Sequence, residues 1–135
     1  MQNVKQLLKD GVNPNFRDYS GATPLHKACS AKFTSAVKLL IENGADVNAQ
    51  NNSKNTPLIF TMASIGYRFT KDSNVKTIIS LLLNAGADLS IKNNLGQDPI
   101  MLNKFDKKVE EFIEEQFPEK YAEYLMKKDA DKYNL

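Results

Sequence analysis

Residues Ser20 to Gln50, SGATPLHKACSAKFTSAVKLLIENGADVNAQ, decide how the rest of the chain is read, because weaker copies of this stretch lie on both sides of it. Thr23 is placed to cap a helix with its side-chain oxygen, and Pro24 brings to the first helical position a φ that is already set. Leu25, Ala28 and Cys29 follow at helical spacing, and a polar break comes at Ser30 to Thr34. Val37, Leu39, Leu40 and Ile41 then mark a second helix with a broad apolar stripe. Gly44, just past the last periodic residue, supplies the left-handed conformation that ends a helix. The unit reads as cap, helix, turn, helix, stop.

Its markers recur at fixed offsets. Gly44 follows Gly11 by 44 − 11 = 33 positions, and Thr56-Pro57-Leu58 follows Thr23-Pro24-Leu25 by the same 33. Gly86-Ala87-Asp88-Leu89 follows Gly44-Ala45-Asp46-Val47 by 42. The nine extra residues therefore lie between Pro57 and Gly86, and the lapse of the apolar period places them at Ser64 to Asn74, SIGYRFTKDSN. Ile78, Ile79, Leu81, Leu82 and Leu83 resume the period, with Leu39 and Leu82 expected in the core. Lys54 stands where Gly21 stands in the first copy, so the positive φ of that turn is expected at Asn52 or Asn55, which tolerate it better. A third copy opens at Asn93, with Asp98 as cap, Pro99 at the first helical position, and a second helix over Val109 to Phe117 that buries Val109, Phe112 and Ile113. Val4 to Lys9 reads as a short helix stopped at Asp10-Gly11, the second half of a repeat.

The residues Asp18, Gly21, Thr23-Pro24-Leu25-His26 and Gly44-Ala45-Asp46-Val47-Asn48 resemble the pattern of the ankyrin-repeat family. The resemblance implies an all-α fold, an ankyrin-type solenoid of stacked helix-turn-helix repeats with protruding hairpin-like loops. Its expected divisions are a half repeat at 1–17, a repeat at 18–50, a repeat with an insertion at 51–92, a capping repeat at 93–117 and a C-terminal helical extension at 118–135 with a frayed end. Pro118 is expected to stop the helix before it, and Tyr121, Tyr124 and Leu125 to form one side of a short further helix.

The chain has 135 residues, 41 per cent apolar and 25 per cent charged, the range of one ordinary globular domain. Residues 1–103 carry 11 basic and 7 acidic side chains and residues 104–135 carry 7 and 9, so neither part makes a strong field. Nucleic acid is not an expected partner, since a binder would gather its cations into a stripe. No apolar run reaches the length of a membrane span, and MQNVKQLLKDG lacks the core of a signal peptide, so a cytoplasmic location is expected without membrane association. The sequon Asn51-Asn52-Ser53 is then idle.

Catalytic and metal constellations are equally absent from the pattern. One histidine, His26, and one cysteine, Cys29, cannot assemble a zinc site or a nucleophile with its base and orienting group. His26 is replaced by Ile59 and Met101 in the other copies, which the repeat could not tolerate if that residue carried its chemistry. No phosphate-binding glycine loop occurs. Glu110, Glu111, Glu114 and Glu115 read as the solvated side of a terminal helix. No cofactor and no enzymatic activity are expected.

Recognition of another protein is what the resemblance leaves. Carried onto this sequence, the ankyrin contact positions are Arg17, Tyr19, Ser20 and Ala22 on the first finger, Gln50, Asn52, Ser53 and Asn55 on the second, and Lys92, Asn94, Leu95 and Gln97 on the third. The inner helical face adds Ser30, Ala31, Ala63, Ser64, Phe105 and Asp106. Tyr67, Arg68 and Phe69 in the insertion make a competing site, because tyrosine, arginine and phenylalanine are enriched at interfaces. The expected form is a monomer when unbound. As alternatives, the resemblance also fits a small bacterial inhibitor or immunity-type protein that neutralises a toxin or enzyme, or a fragment of a larger ankyrin scaffold or effector.

Overall fold

A computed structural model describes residues 4–65, 73–103 and 106–133. Among these, seven α-helices and one 3-10 turn follow in order: α1 (Val4–Lys9), α2 (Pro24–Ser30), α3 (Thr34–Glu42), α4 (Pro57–Ala63), α5 (Ser73–Asn84), the turn Met101–Asn103, α6 (Lys107–Gln116) and α7 (Pro118–Tyr133). They stack in two rows. α2, α4 and the 3-10 turn pack in succession as the inner row, and α1, α3 and α5 as the outer row, with α2 on α3 and α4 on α5 inside each repeat.

The helices begin where the chain's chemistry puts them. Thr23 accepts from the His26 N–H and His26 reaches back to the Thr23 N–H, a reciprocal cap, and Thr56 accepts from the Ile59 N–H in the same way. Leu25, Cys29, Val37, Leu40, Leu58, Met62, Ile78, Ile79, Leu82 and Leu83 are buried, one continuous core running between the rows. Burial pushes the Cys29 thiol up to about 12, which leaves it an inert packing group.

The insertion lengthens only one helix. α4 is α2 displaced by 33 residues at both ends, and the end of α5 is the end of α3 displaced by 42, but α5 starts at Ser73 rather than at 34 + 42 = 76. Three of the nine extra residues thus extend α5 by about one turn, and the rest precede it. Tyr67, Arg68 and Phe69 lie outside the described residues.

Several sequence expectations need correction. The positive φ of the second finger falls on Lys54 itself, at 61°, not on Asn52 or Asn55. Here the hydrogen-bond frame decides: Asn51 N–H donates to the Asn55 carbonyl as Asp18 N–H donates to Ala22, and closing that frame needs the left-handed residue at the fourth position. The strain of roughly 1–2 kcal/mol is accepted at an exposed site. Leu39 is only half-buried, because the helical period turns it away while Leu40 faces the core. In the third copy the first helix, 7 residues long in the first copy, shrinks to the 3-residue 3-10 turn, and α6 begins 107 − 98 = 9 residues after the cap, against 34 − 23 = 11 in the first copy. Phe112 is half-buried, not buried.

Pro118 does not merely stop α6, whose last residue is Gln116. It is the first residue of α7, a place where the missing N–H costs nothing. α7 runs 16 residues, to Tyr133, rather than ending as a short frayed segment. Tyr124 anchors it. That side chain is buried and its hydroxyl donates to Asp98 Oδ2 at 3.0 Å, while Asp98 Oδ1 caps the 3-10 turn by accepting from the Met101 N–H at 2.8 Å. Aspartate in place of the cap threonine thus supplies a second oxygen, and α7 is fastened to it. Tyr121 adds a bond to Glu110 at 2.7 Å, and Lys127 pairs with Asp88 and Lys92 with Asp131, each at 3.4 Å.

The two-row core predicts a contrast between neighbouring leucines. Leu40→Ala and Leu82→Ala should each lower unfolding free energy by about 2–5 kcal/mol, with Leu39→Ala costing less than either. Urea titrations followed by circular dichroism measure this, and equal losses at Leu39 and Leu40 would contradict the assignment of the core face.

Candidate interaction surface

Each finger is a hairpin closed by one side chain. Asp18 Oδ1 accepts from the N–H groups of Ser20 and Ala22, Asn51 Oδ1 from Ser53 and Asn55, and Asn93 Oδ1 from Leu95 and Gln97. Asp18, Asn51 and Asn93 stand 33 and 42 residues apart, the offsets of the repeat. The Ser20 hydroxyl and then the Lys27 ammonium, 3.0 Å away, hold the Asp18 carboxyl well below the usual carboxylate range.

The fingers are also bonded to one another. The Asn52 N–H donates to the Ser20 carbonyl and the Asn94 N–H to the Ser53 carbonyl, both at 2.9 Å. Side chains repeat the link: Asn52 Nδ2 donates to the Tyr19 carbonyl and Asn94 Nδ2 to the Asn52 carbonyl. Arg17 Nη1 donates to the Gly21 and Gln50 carbonyls at 3.1 and 2.6 Å, and Gln50 Nε2, one repeat on, donates to the Lys54 and Lys92 carbonyls. A second ladder lies at the other end of the repeats. Asn15 bridges the Gly44 carbonyl and the Asp46 N–H, and Asn48 bridges the Gly86 carbonyl and the Asp88 N–H.

Of the contact positions carried over from the ankyrin pattern, Arg17, Gln50, Asn52 and Asn94 thus hold the fingers in register. Ser20 donates its hydroxyl to Asp18, and Lys92 pairs with Asp131 of α7. Tyr19 and Leu95 stand apart from them, 105 and 81 per cent exposed, with exposed Ser53 between. Ser30, Ala31 and Ala63 are exposed and Ser64 is half-buried; Asp106 caps α6; Phe105 lies outside the described residues.

His26 is wholly buried and its ring joins two repeats. Its Nδ1 accepts from the Thr23 N–H at 3.1 Å, which leaves Nε2 as the donor to the Asn55 carbonyl at 2.8 Å, and the ring meets Phe60 edge-on at 5.1 Å. Burial holds its pKa below the usual imidazole value. The Thr23 hydroxyl, 3.0 Å from Nδ1, is itself engaged in capping α2, where it accepts from the His26 N–H, and the ring acts as a strut between the repeats. Among the described residues no group of three or more His, Cys, Asp or Glu could hold a metal, and no helix is long and apolar enough to cross a membrane.

A family model described as "Ankyrin repeats (3 copies)" matches residues 1–93. The chain belongs to the ankyrin-repeat family. Such repeats are generally protein–protein interaction modules, and the family is generally non-catalytic. The chain is similar to the potassium channel KOR2 of Oryza sativa subsp. japonica, 44 per cent identical over 55 residues, which are 41 per cent of this chain and 8 per cent of the channel. It is also similar to the serine/threonine-protein kinase VIK of Arabidopsis thaliana, 50 per cent identical over 56 residues, or 41 and 13 per cent of the two chains. A putative ankyrin repeat protein of fowlpox virus is 36 per cent identical over 62 residues, or 46 and 33 per cent. The chain spans no more than about a third of the length of these relatives.

A Cβ at Gly21, where φ is +77°, would lie 2.5 Å from Asn52 Oδ1, whereas one at Gly96, where φ is +72°, meets nothing within 4 Å. Gly21→Ala should therefore cost more than Gly96→Ala, which carries only the left-handed strain of about 1–2 kcal/mol; equal losses in thermal unfolding would remove the finger contact from the account. His26 makes stability depend on pH. The unfolded chain binds a proton as pH falls through about 6.5 and the folded chain does so only at lower pH, so the stability that neutral His26 contributes is present above that value and is lost as pH falls through it towards the lower folded-state pKa. His26→Gln should flatten this slope in urea titrations, and an unchanged slope would contradict it. Asp18 also loses stability in acid, but in a separate window below its ordinary value of 3.8.

Proposed function

We propose that this chain is a non-catalytic recognition module that binds another protein through its row of fingertips, with Tyr19 as principal anchor and Leu95 at the far end. The observation that carries this is the contrast within the fingers. Their amides and Arg17 are engaged in holding register, while the Tyr19 ring stands fully in solvent on a backbone fixed by Asn52. A rigid aromatic on a pre-ordered loop is an efficient binding group, since little side-chain freedom is lost on docking. Ser53 and Asn52 lie between the two apolar ends and offer polar contacts. The module is a monomer before it binds, and its setting is cytoplasmic.

The test is affinity capture with the unaltered chain, a Tyr19→Ala/Leu95→Ala variant and a Tyr67→Ala/Arg68→Ala variant, each checked for folding by circular dichroism. A stoichiometric protein partner held by the unaltered chain and lost with the fingertip variant is expected. Loss with the insertion variant alone would move the site to the segment before α5. Equal retention by all three would overturn both placements.

A further inference from the structure

Among the described residues, the inner row is open on the flank beside α2. Phe16, Ala22, Pro24, Ala28, Ala31 and Phe33 are among the residues that line an apolar groove of about 350 Å³ beside α2, and Phe16 and Phe33 are 64 and 58 per cent exposed. α1 fills the outer-row place next to α3, while the inner-row place next to α2 is this groove.

The chain's own repeat says what such a flank is built to take. Adding 33 to Ala22, Pro24, Lys27 and Ala28 gives Asn55, Pro57, Phe60 and Thr61. Those are residues of α4 and of the segment leading into it that face α2: the His26 ring donates to the Asn55 carbonyl and lies against Phe60, and Pro57 and Thr61 are buried. Lys27 at the equivalent position of α2 is exposed, and Pro24 is only half-buried. The backbone carries the same mark. The Asn55 carbonyl accepts both from the Asn51 N–H and from His26, whereas the Ala22 carbonyl accepts from the Asp18 N–H, and Ala22 lines the groove.

We propose that this groove is a second docking site, separate from the fingertips, which takes one short amphipathic helix of a partner protein packed on α2 as α2 packs on α4. Its contact face carries small and aliphatic residues against Ala28 and Ala31, and one side-chain N–H reaches the Ala22 carbonyl. Continuity with the α2–α4 interface argues for a helix rather than a strand or a flat surface. A second copy does not extend the row head to tail, because α7, fastened through Tyr124 to Asp98, covers the opposite end.

The probe is a synthetic peptide with the sequence of residues 20–32, hydrocarbon-stapled across positions 27 and 31, which face the groove and therefore away from α4. The staple matters because an isolated helix this short is marginal in water. Titrated into the full ¹⁵N-labelled chain, it should move the amide resonances of Phe16, Ala22, Ala28 and Phe33 saturably and leave Asn52 and Asn94 in place. Ala31→Arg should weaken binding at least tenfold, and Phe33→Asp replaces it if that variant does not fold. The Tyr19→Ala/Leu95→Ala variant should bind the peptide unchanged, which separates this site from the fingertip reading. Absence of saturable shifts at millimolar peptide, or shifts centred on the fingers, would overturn the proposal. Self-association of the unaltered chain abolished by Ala31→Arg would assign the groove to a second copy and overturn a partner helix.

Discussion

The structure depends on one amide repeated at a fixed interval. Asn48 donates to the Gly86 carbonyl and accepts from the Asp88 N–H, joining the stop of one repeat to the stop of the next, and Asn15 does the same for Gly44 and Asp46. Two short helices cannot bury both faces of their apolar stripes alone, so each repeat is stable only when its neighbour is in register. The amides set that register at one end and the finger bonds set it at the other. At Ser90, the next place in the series, 48 + 42, the side chain turns back to its own Asp88 and the ladder ends. Each bond contributes about 1 kcal/mol net, and their shared effect is to align the apolar contacts that contribute more.

Closure of the stack follows from a single substitution in the pattern. Asp98 replaces the cap threonine, and its two oxygens serve two purposes, a cap for the shortened turn and an anchor for Tyr124 of α7. Burial raises the Tyr124 hydroxyl well above its ordinary range, as does the neighbouring Asp98 carboxylate, which keeps it a donor to that carboxylate at neutral pH. α7 otherwise carries mostly exposed residues, with Leu125 and Met126 40 and 73 per cent exposed. The two ends of the solenoid are therefore unlike. One is covered by a helix tied to a buried carboxylate, and the other presents an apolar groove beside α2.

What the sequence made legible was whatever depends on spacing and local chemistry. The caps at Thr23 and Thr56, the stops at Gly11, Gly44 and Gly86, and the site of the nine extra residues are all functions of offset and residue type. What it concealed depends on tertiary geometry. Lys54 adopts positive φ because the Asn51 frame demands it there, against the residue's own preference. Leu39 and Leu40 are equally apolar, and only the pitch of α3 against α5 distinguishes them. Arg17 has the composition of an interface anchor, and the carbonyls that hold it belong to Gly21 and to Gln50, 33 residues away. A signal for that role was present: Arg17 and Gln50 occupy one register position, as do Asn15 and Asn48, and polar side chains at these repeat-equivalent places make bonds between repeats.

The fingers form a rigid frame, made together with the helical core, from which Tyr19 projects. Native-state hydrogen exchange of the Asn52 and Asn94 amides, compared with amides in the middle of α5, tests this most directly. Exchange of both finger amides through the same global opening as α5 is predicted. Rapid exchange of Asn52 and Asn94 while α5 stays protected would show fingers that open independently of the core, and would contradict a pre-ordered binding surface.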